Sequence, residues 1–273
     1  MKKYFKDYFK RVIEPCAKIE LIYWWILRGL MIYAFFDTLI NGKDYNGSNP
    51  VIQIFANFVG MFSYEIIQFF PKNNRFRYFS PHFQNITALG FFLGSFGGAY
   101  MNLYYLLPGY DKALHAFGTA EAVYIGYEYL CATQLKLKKT APHQIINLGA
   151  LGFGFILSSA WELFEFTYDQ VAGGDAQHWN YQNAVESAGG DPAKVFHMIP
   201  MLDPSRFALM DTMDDIVMNF VGGILMYIIL CVIPYRHRGK NDINLRIEAE
   251  LREAAEAAAK AEAAETVTAA AAE

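Results

Sequence analysis

The sequence predicts an all-α fold: a polytopic membrane bundle of about six transmembrane helices with both termini cytoplasmic. Three observations predict it. Apolar runs near 20 residues long recur along a 273-residue chain that is 54% hydrophobic, and about 20 such residues suffice to cross a bilayer. Lysine and arginine gather in alternate connections between those runs. No stretch between them is long and apolar enough to build a soluble core of its own. The formal charge of -4 is set by an acidic tail and one acidic loop, and the basic field that nucleic acid needs is missing. Cys16, Cys131 and Cys231 are scattered without CxxC spacing, which argues against a disulfide framework or a zinc–thiolate centre.

Residues 1–18, MKKYFKDYFKRVIEPCAK, read as a basic cytoplasmic segment without a cleavage site, so the first span serves as an uncleaved signal. A transmembrane domain follows over 19–240. Its spans are drawn at Ile19–Ile40, Val51–Phe70, Ile86–Leu107, Lys112–Ala132, Gln144–Phe166 and Asp215–Ile233. The fourth is the least apolar, because it holds His115, Glu121 and Glu128. Basic residues cluster at the N-terminus, after the second span (Lys72, Arg75, Arg77), after the fourth (Lys136, Lys138, Lys139) and after the sixth (Arg236, Arg238, Lys240). That pattern places those ends in the cytoplasm and requires an even number of spans. A Gly-, Asp- and Pro-rich outer loop at 167–210 carries His178, Trp179 and His197 and is either a lid or a solvated loop. The tail at 241–273 is Ala/Glu-rich, helix-favouring and poor in large apolar residues, and reads as a solvated cytoplasmic helix that frays into disorder. Rows of small residues, Gly90/Gly94/Gly98 and Gly118/Ala122/Gly126, suit close helix packing within the bundle, with dimerisation as the alternative.

The chemistry gathers in three short segments. In DTMDDIVMNFVGG (211–223), Asp211, Asp215, Asn219 and Gly222 share one helical face. Asp214 lies off that line and is expected to tolerate change better. In DKALH (111–115), Asp111 and His115 stand one turn apart, with Lys112 beside them. In WELFE (161–165), Glu162 and Glu165 are spaced like half of a carboxylate metal site in a bundle. The orientation puts all three segments at the outer face, where Asp169 and Asp37 are further candidates. Carboxylates that close cannot all stay ionised without a counter-charge. A divalent ion (Mg, Ca, Mn or Zn) held by Asp111, His115, Glu162, Glu165, Asp211 and Asp215 supplies one. Shared protons or a purely structural polar network are the alternatives. Deeper in the membrane, Arg28 is expected to pair with Glu65 or Glu121, since an unpaired charge there is costly.

These motifs together resemble the VanZ-like membrane proteins and, more closely, the uncharacterised YjdF-like bacterial inner-membrane family. The shared pattern is DKxxH opening one span (Asp111, Lys112, His115), a glutamate ending the next (Glu162) and DxxxNxxG opening the last (Asp215, Asn219, Gly222). Where VanZ-like proteins carry E-x-x-Q, this chain has Glu162 and Glu165. The resemblance implies a multi-span plasma-membrane protein of a bacterium and no settled reaction. The readings that remain are a metal-dependent hydrolase or transferase acting on a lipid-linked or cell-envelope substrate, a cation- or proton-coupled transporter, and a structural or resistance-associated protein. In the first, His115, Glu162 and Asp211 carry the chemistry, with Lys112, Asn219 and Gly222 in support. Phosphatase-type, rhomboid-type and glutamic-protease motifs are all missing.

Overall fold

The computed structural model describes residues 2–42, 50–71, 73–173, 176–177, 180–187, 189–195, 204–233, 236–239 and 242–270. His178, Trp179 and His197 lie outside them. Among the described residues the fold is all helical. Its elements are α1 (Lys2–Val12), α2 (Lys18–Asn41), α3 (Val51–Gly60), α4 (Ser63–Ile67), α5 (His82–Phe92), α6 (Leu103–Leu106), α7 (Tyr110–Leu137), α8 (His143–Ala172), α9 (Tyr181–Ser187), α10 (Phe207–Val232) and α11 (Ile243–Ala270).

Three of these are long and apolar enough to cross a membrane: α2, α8 and α10. Their outward side chains are large and apolar, among them Trp25, Phe36, Ile156, Leu163, Phe220 and Leu225. A soluble protein rarely leaves so much apolar surface open. The long α7 does not meet the same test, and its packing explains why. It is the central helix, bearing on α8, α10, α5 and the start of α11, and it buries Lys112, Thr119, Tyr127, Glu128 and Gln134. Its surroundings are protein rather than lipid, so polar residues on it find partners.

The drawn spans need correction at several places. The second, 51–70, breaks at Met61–Phe62 into α3 and α4. The break frees the Met61 carbonyl, which accepts from Arg28 Nη2 at 2.7 Å and from Gln84 Nε2. The third, 86–107, runs as α5, then a π-helical stretch Leu93–Tyr100, then the short α6. Tyr110 donates to the Leu93 carbonyl at 2.9 Å, satisfying backbone loosened by the wider helix. The fifth continues to Ala172, so part of the expected 167–210 loop is helix, and the sixth begins at Phe207, two turns before Asp215.

The core divides into three clusters. One joins α2, α3 and α5 through Leu27, Met31, Ile54, Met61 and Ala88. A second centres on Trp24, Tyr64, Phe79, Phe83 and Tyr124. The third joins α7, α8 and α10 and takes in Ile243 and Ile247 of α11. The tail therefore does not begin as a solvated helix: its first turns dock on the bundle, with Asn244 holding Ala141 and Gln134.

Candidate functional site

The three polar segments meet where α7 and α10 begin and α8 nears its end. The chain brings α10 against α7 at Gly222, where an added Cβ would collide with the Ala116 backbone carbonyl. That approach carries the Asp211–Asp215–Asn219 face onto the Asp111–His115 face.

Lys112 sits at the centre, only 3% exposed. Its ammonium donates to Asp211 Oδ1 at 2.6 Å, to Asp215 Oδ1 at 2.7 Å and to Asp111 Oδ2 at 3.1 Å. The counter-charge that the carboxylates require is thus supplied in part from within the chain. His115 stands beside them. Its Nε2 is 3.5 Å from Asp215 Oδ1 and 3.7 Å from Asp111 Oδ1, and its Nδ1 is 3.4 Å from Glu162 Oε1. Asn219 donates to the same Glu162 oxygen at 3.2 Å and accepts from Thr119 at 2.8 Å. The other oxygen, Glu162 Oε2, is buried without a hydrogen-bond partner among the described residues. Glu165 accepts from the Trp161 indole at 2.8 Å. Two sets of donor atoms lie close enough together to hold one ion: Asp111, His115 and Asp215, and His115, Glu162 and Glu165.

Other candidates go elsewhere. Asp169 turns to the following loop and accepts from the backbone of Ala176 and Gln177. Asp37 accepts from Tyr100 at 2.7 Å and from Asn41. Asp214 is fully buried, no more exposed than Asp215. Arg28 pairs with Glu65 at 2.7 Å, with the Phe62 ring 3.8 Å from its guanidinium carbon. Glu121 is not part of that pair. Its carboxylate fits where α5 has Gly90, a position at which any Cβ would strike it. Glu128 accepts from Arg236 at 2.5 Å and from Ser80, tying α7 to the segment after α10.

The sequence reading missed a cavity of about 490 Å³ that adjoins the cluster. Asp111, His115, Glu165 and Asn219 line part of it, and Glu121 lines it deeper along α7. Gln53 and Asn57 of α3 also reach its wall, as does Thr119. No periodicity signals such a space, because its walls come from helices far apart in sequence.

No curated protein and no solved structure matches the chain. Residues 23–236 match the family described as predicted membrane protein (DUF2238), consistent with the YjdF-like resemblance. The match runs from within α2 past the end of α10 and takes in all the residues of the polar cluster, and the chain belongs to that family.

Proposed function

We propose that the cluster on α7, α8 and α10 is the working site of a membrane-embedded hydrolase or transferase, acting on an amphiphilic, lipid-linked or cell-envelope substrate. The observation that carries this reading is the continuity of the cluster with the cavity: charged groups at one part, apolar and aromatic wall beyond. A head group would meet Asp111, His115 and Glu165 while its apolar part lies against Leu114, Phe117 and Leu157.

His115 would be either the general base or a ligand of the ion through Nε2, since an imidazole that holds the ion cannot also take the proton. Glu162 Oε1, 3.4 Å from its Nδ1, would hold the ring and steady its charged form. A divalent ion (Mg, Ca, Mn or Zn) would act as Lewis acid or activate water. Asp111 and Asp215 would hold it, with His115 Nε2, 3.7 and 3.5 Å from their oxygens, as the third ligand when it is not the base. Glu162 Oε2, without a partner among the described residues, leaves an acceptor for substrate or water. In this reading the chain crosses a bacterial inner membrane six times, as α2, α3–α4, α5–α6, α7, α8 and α10, with both termini cytoplasmic and the cluster at the outer face. The 19–240 region is then one transmembrane domain between a basic segment, 1–18, and a cytoplasmic tail, 241–273.

A second reading, cation- or proton-coupled transport, is favoured by Glu121, which has no hydrogen bond or ion pair among the described residues and lines the same cavity. Metal analysis of purified protein separates the two. The enzyme reading expects about one divalent ion per chain, lost in Asp111→Asn and His115→Gln while both variants still insert. Wild-type protein that takes up no divalent ion on dialysis against any of the four would overturn the metal-dependent chemistry.

A further inference from the structure

The cavity has a charge preference of its own. Asp111, Glu121 and Glu165 line it with a single imidazole, His115, and no lysine or arginine among the described residues does so. Lys112 is turned to Asp211, Asp215 and Asp111, so Glu121 and Glu165 receive no ammonium. The wall also carries Phe91, Tyr104, Phe117 and Trp161. Carboxylates beside aromatic rings in an apolar chamber are the chemistry that retains an organic cation, because rings attract positive charge and the chamber strips little hydration from a delocalised one. An anionic head group would find no lysine or arginine among the described lining residues to receive it, and His115 alone to offset Glu121 and Glu165.

Length agrees with this. The lining residues of α7 run from Asp111 to Ile125, about 21 Å at 1.5 Å per residue. Glu121 stands about 15 Å along the helix from Asp111 by the same rise, so the chamber offers carboxyl groups at two depths with apolar wall between. Gly90 keeps the deeper carboxylate in place, since any side chain there would displace it.

We propose that this cavity binds a lipophilic cation, an organic molecule whose ammonium or delocalised positive charge lies against the surrounding rings, between Glu121 at one depth and Glu165 at the other. The proposal names the ligand class of the cavity used under the proposed function and does not depend on the metal or on any reaction there. The test is equilibrium binding of tetraphenylphosphonium to the full chain in nonionic detergent with a chelator present. Tetraphenylborate, of the same shape and opposite charge, is the comparison. Saturable binding of the cation is expected, with the anion weaker by at least about tenfold, and Glu121→Gln or Glu165→Gln should weaken the cation by about tenfold. Glu256→Gln, on the exposed tail, should leave it unchanged. Absence of saturable cation binding, equal binding of the anion, or unaltered affinity in both cavity variants would overturn the proposal. The comparison of the two ions needs no variant, so it decides even if a substitution fails to fold. Because the chelator removes any divalent ion, loss of the metal-dependent reading would leave this result standing, and the reverse also holds.

Discussion

Lys112 draws two carboxylates from α10 onto α7, and it does so from a site closed to solvent. Its removal strands both of them. Lys112→Met is expected to cost on the order of 3–5 kcal/mol, read as a lowered melting temperature and folded yield in detergent. Adding Asp215→Asn should restore part of that loss, because a neutral amide needs no counter-charge; a fully additive double variant would show that the three groups are not one unit. Arg28 and Glu65 give the same test deeper in the bundle. Arg28→Leu alone leaves Glu65, with Oε2 already lacking a partner among the described residues, and should cost more than the Arg28→Leu/Glu65→Leu pair. Asp214 revises the expectation drawn from the helical line. Its position off the Asp211–Asp215–Asn219 face suggested tolerance, yet it is wholly buried, and Asp214→Ala is expected to reduce folded yield as much as Asp211→Ala. Spacing tells which side chains share a face. It does not tell how far a neighbouring element closes over the flank.

At the scale of the element, α7 and α10 depend on contact between backbones. Gly222→Ala would push the helices apart at Ala116, and overpacking of this kind costs about 1–3 kcal/mol or more. The expected result is loss of thermal stability together with weakened cluster function, whereas Gly29→Ala, with open space at its Cβ, should change little. The order of helices was legible from the apolar runs. The interruptions after α3 and α5 were not, because hydropathy cannot foresee that Arg28 and Gln84 would catch a carbonyl released at Met61. The docking of α11 was hidden for a related reason: two isoleucines at its start, Ile243 and Ile247, are too few to register in an Ala/Glu-rich run. His237 anchors the approach to that helix, with Nδ1 facing the Tyr127 hydroxyl and Nε2 facing Gln134 Oε1, both at 3.0 Å. Burial, with nearby His143 and Arg236 and against Asp242, pushes its pKa down to about 4. An unfolded histidine titrates near 6.5. Between those values the unfolded chain holds the extra proton, so this contribution to stability is complete above about pH 6.5 and declines as pH falls toward 4. Hydrogen exchange over 243–250 should accelerate on moving from pH 7 to 5, after correction for intrinsic rates, and His237→Asn should remove that dependence.

For the whole molecule, orientation is open to a direct test. Cysteine at Lys194 should react with an impermeant thiol reagent in intact cells, and cysteine at Lys138 should not; labelling at 138 would reverse the assignment of sides. The cluster was legible in the sequence because polar residues recur at i, i+4 in two segments and at i, i+3 in a third, while the cavity beside it depends on Gln53 and Asn57 of α3 and on Gly90 and Phe91 of α5, which carry no polar motif. The pairing of Arg28 with Glu65 also bears on how the chain enters the bilayer. Arg28 lies in the middle of α2, the first helix apolar enough to span, and a lone charge at that depth resists transfer into hydrocarbon. Its neutralising partner is made 37 residues later. The first helix is therefore a poor anchor until synthesis has passed Glu65, and α2 should leave the insertion machinery together with α3 and α4 rather than ahead of them. Chains truncated shortly before Glu65 are expected to be extracted by alkaline carbonate, and chains ending beyond Gln84 to resist it.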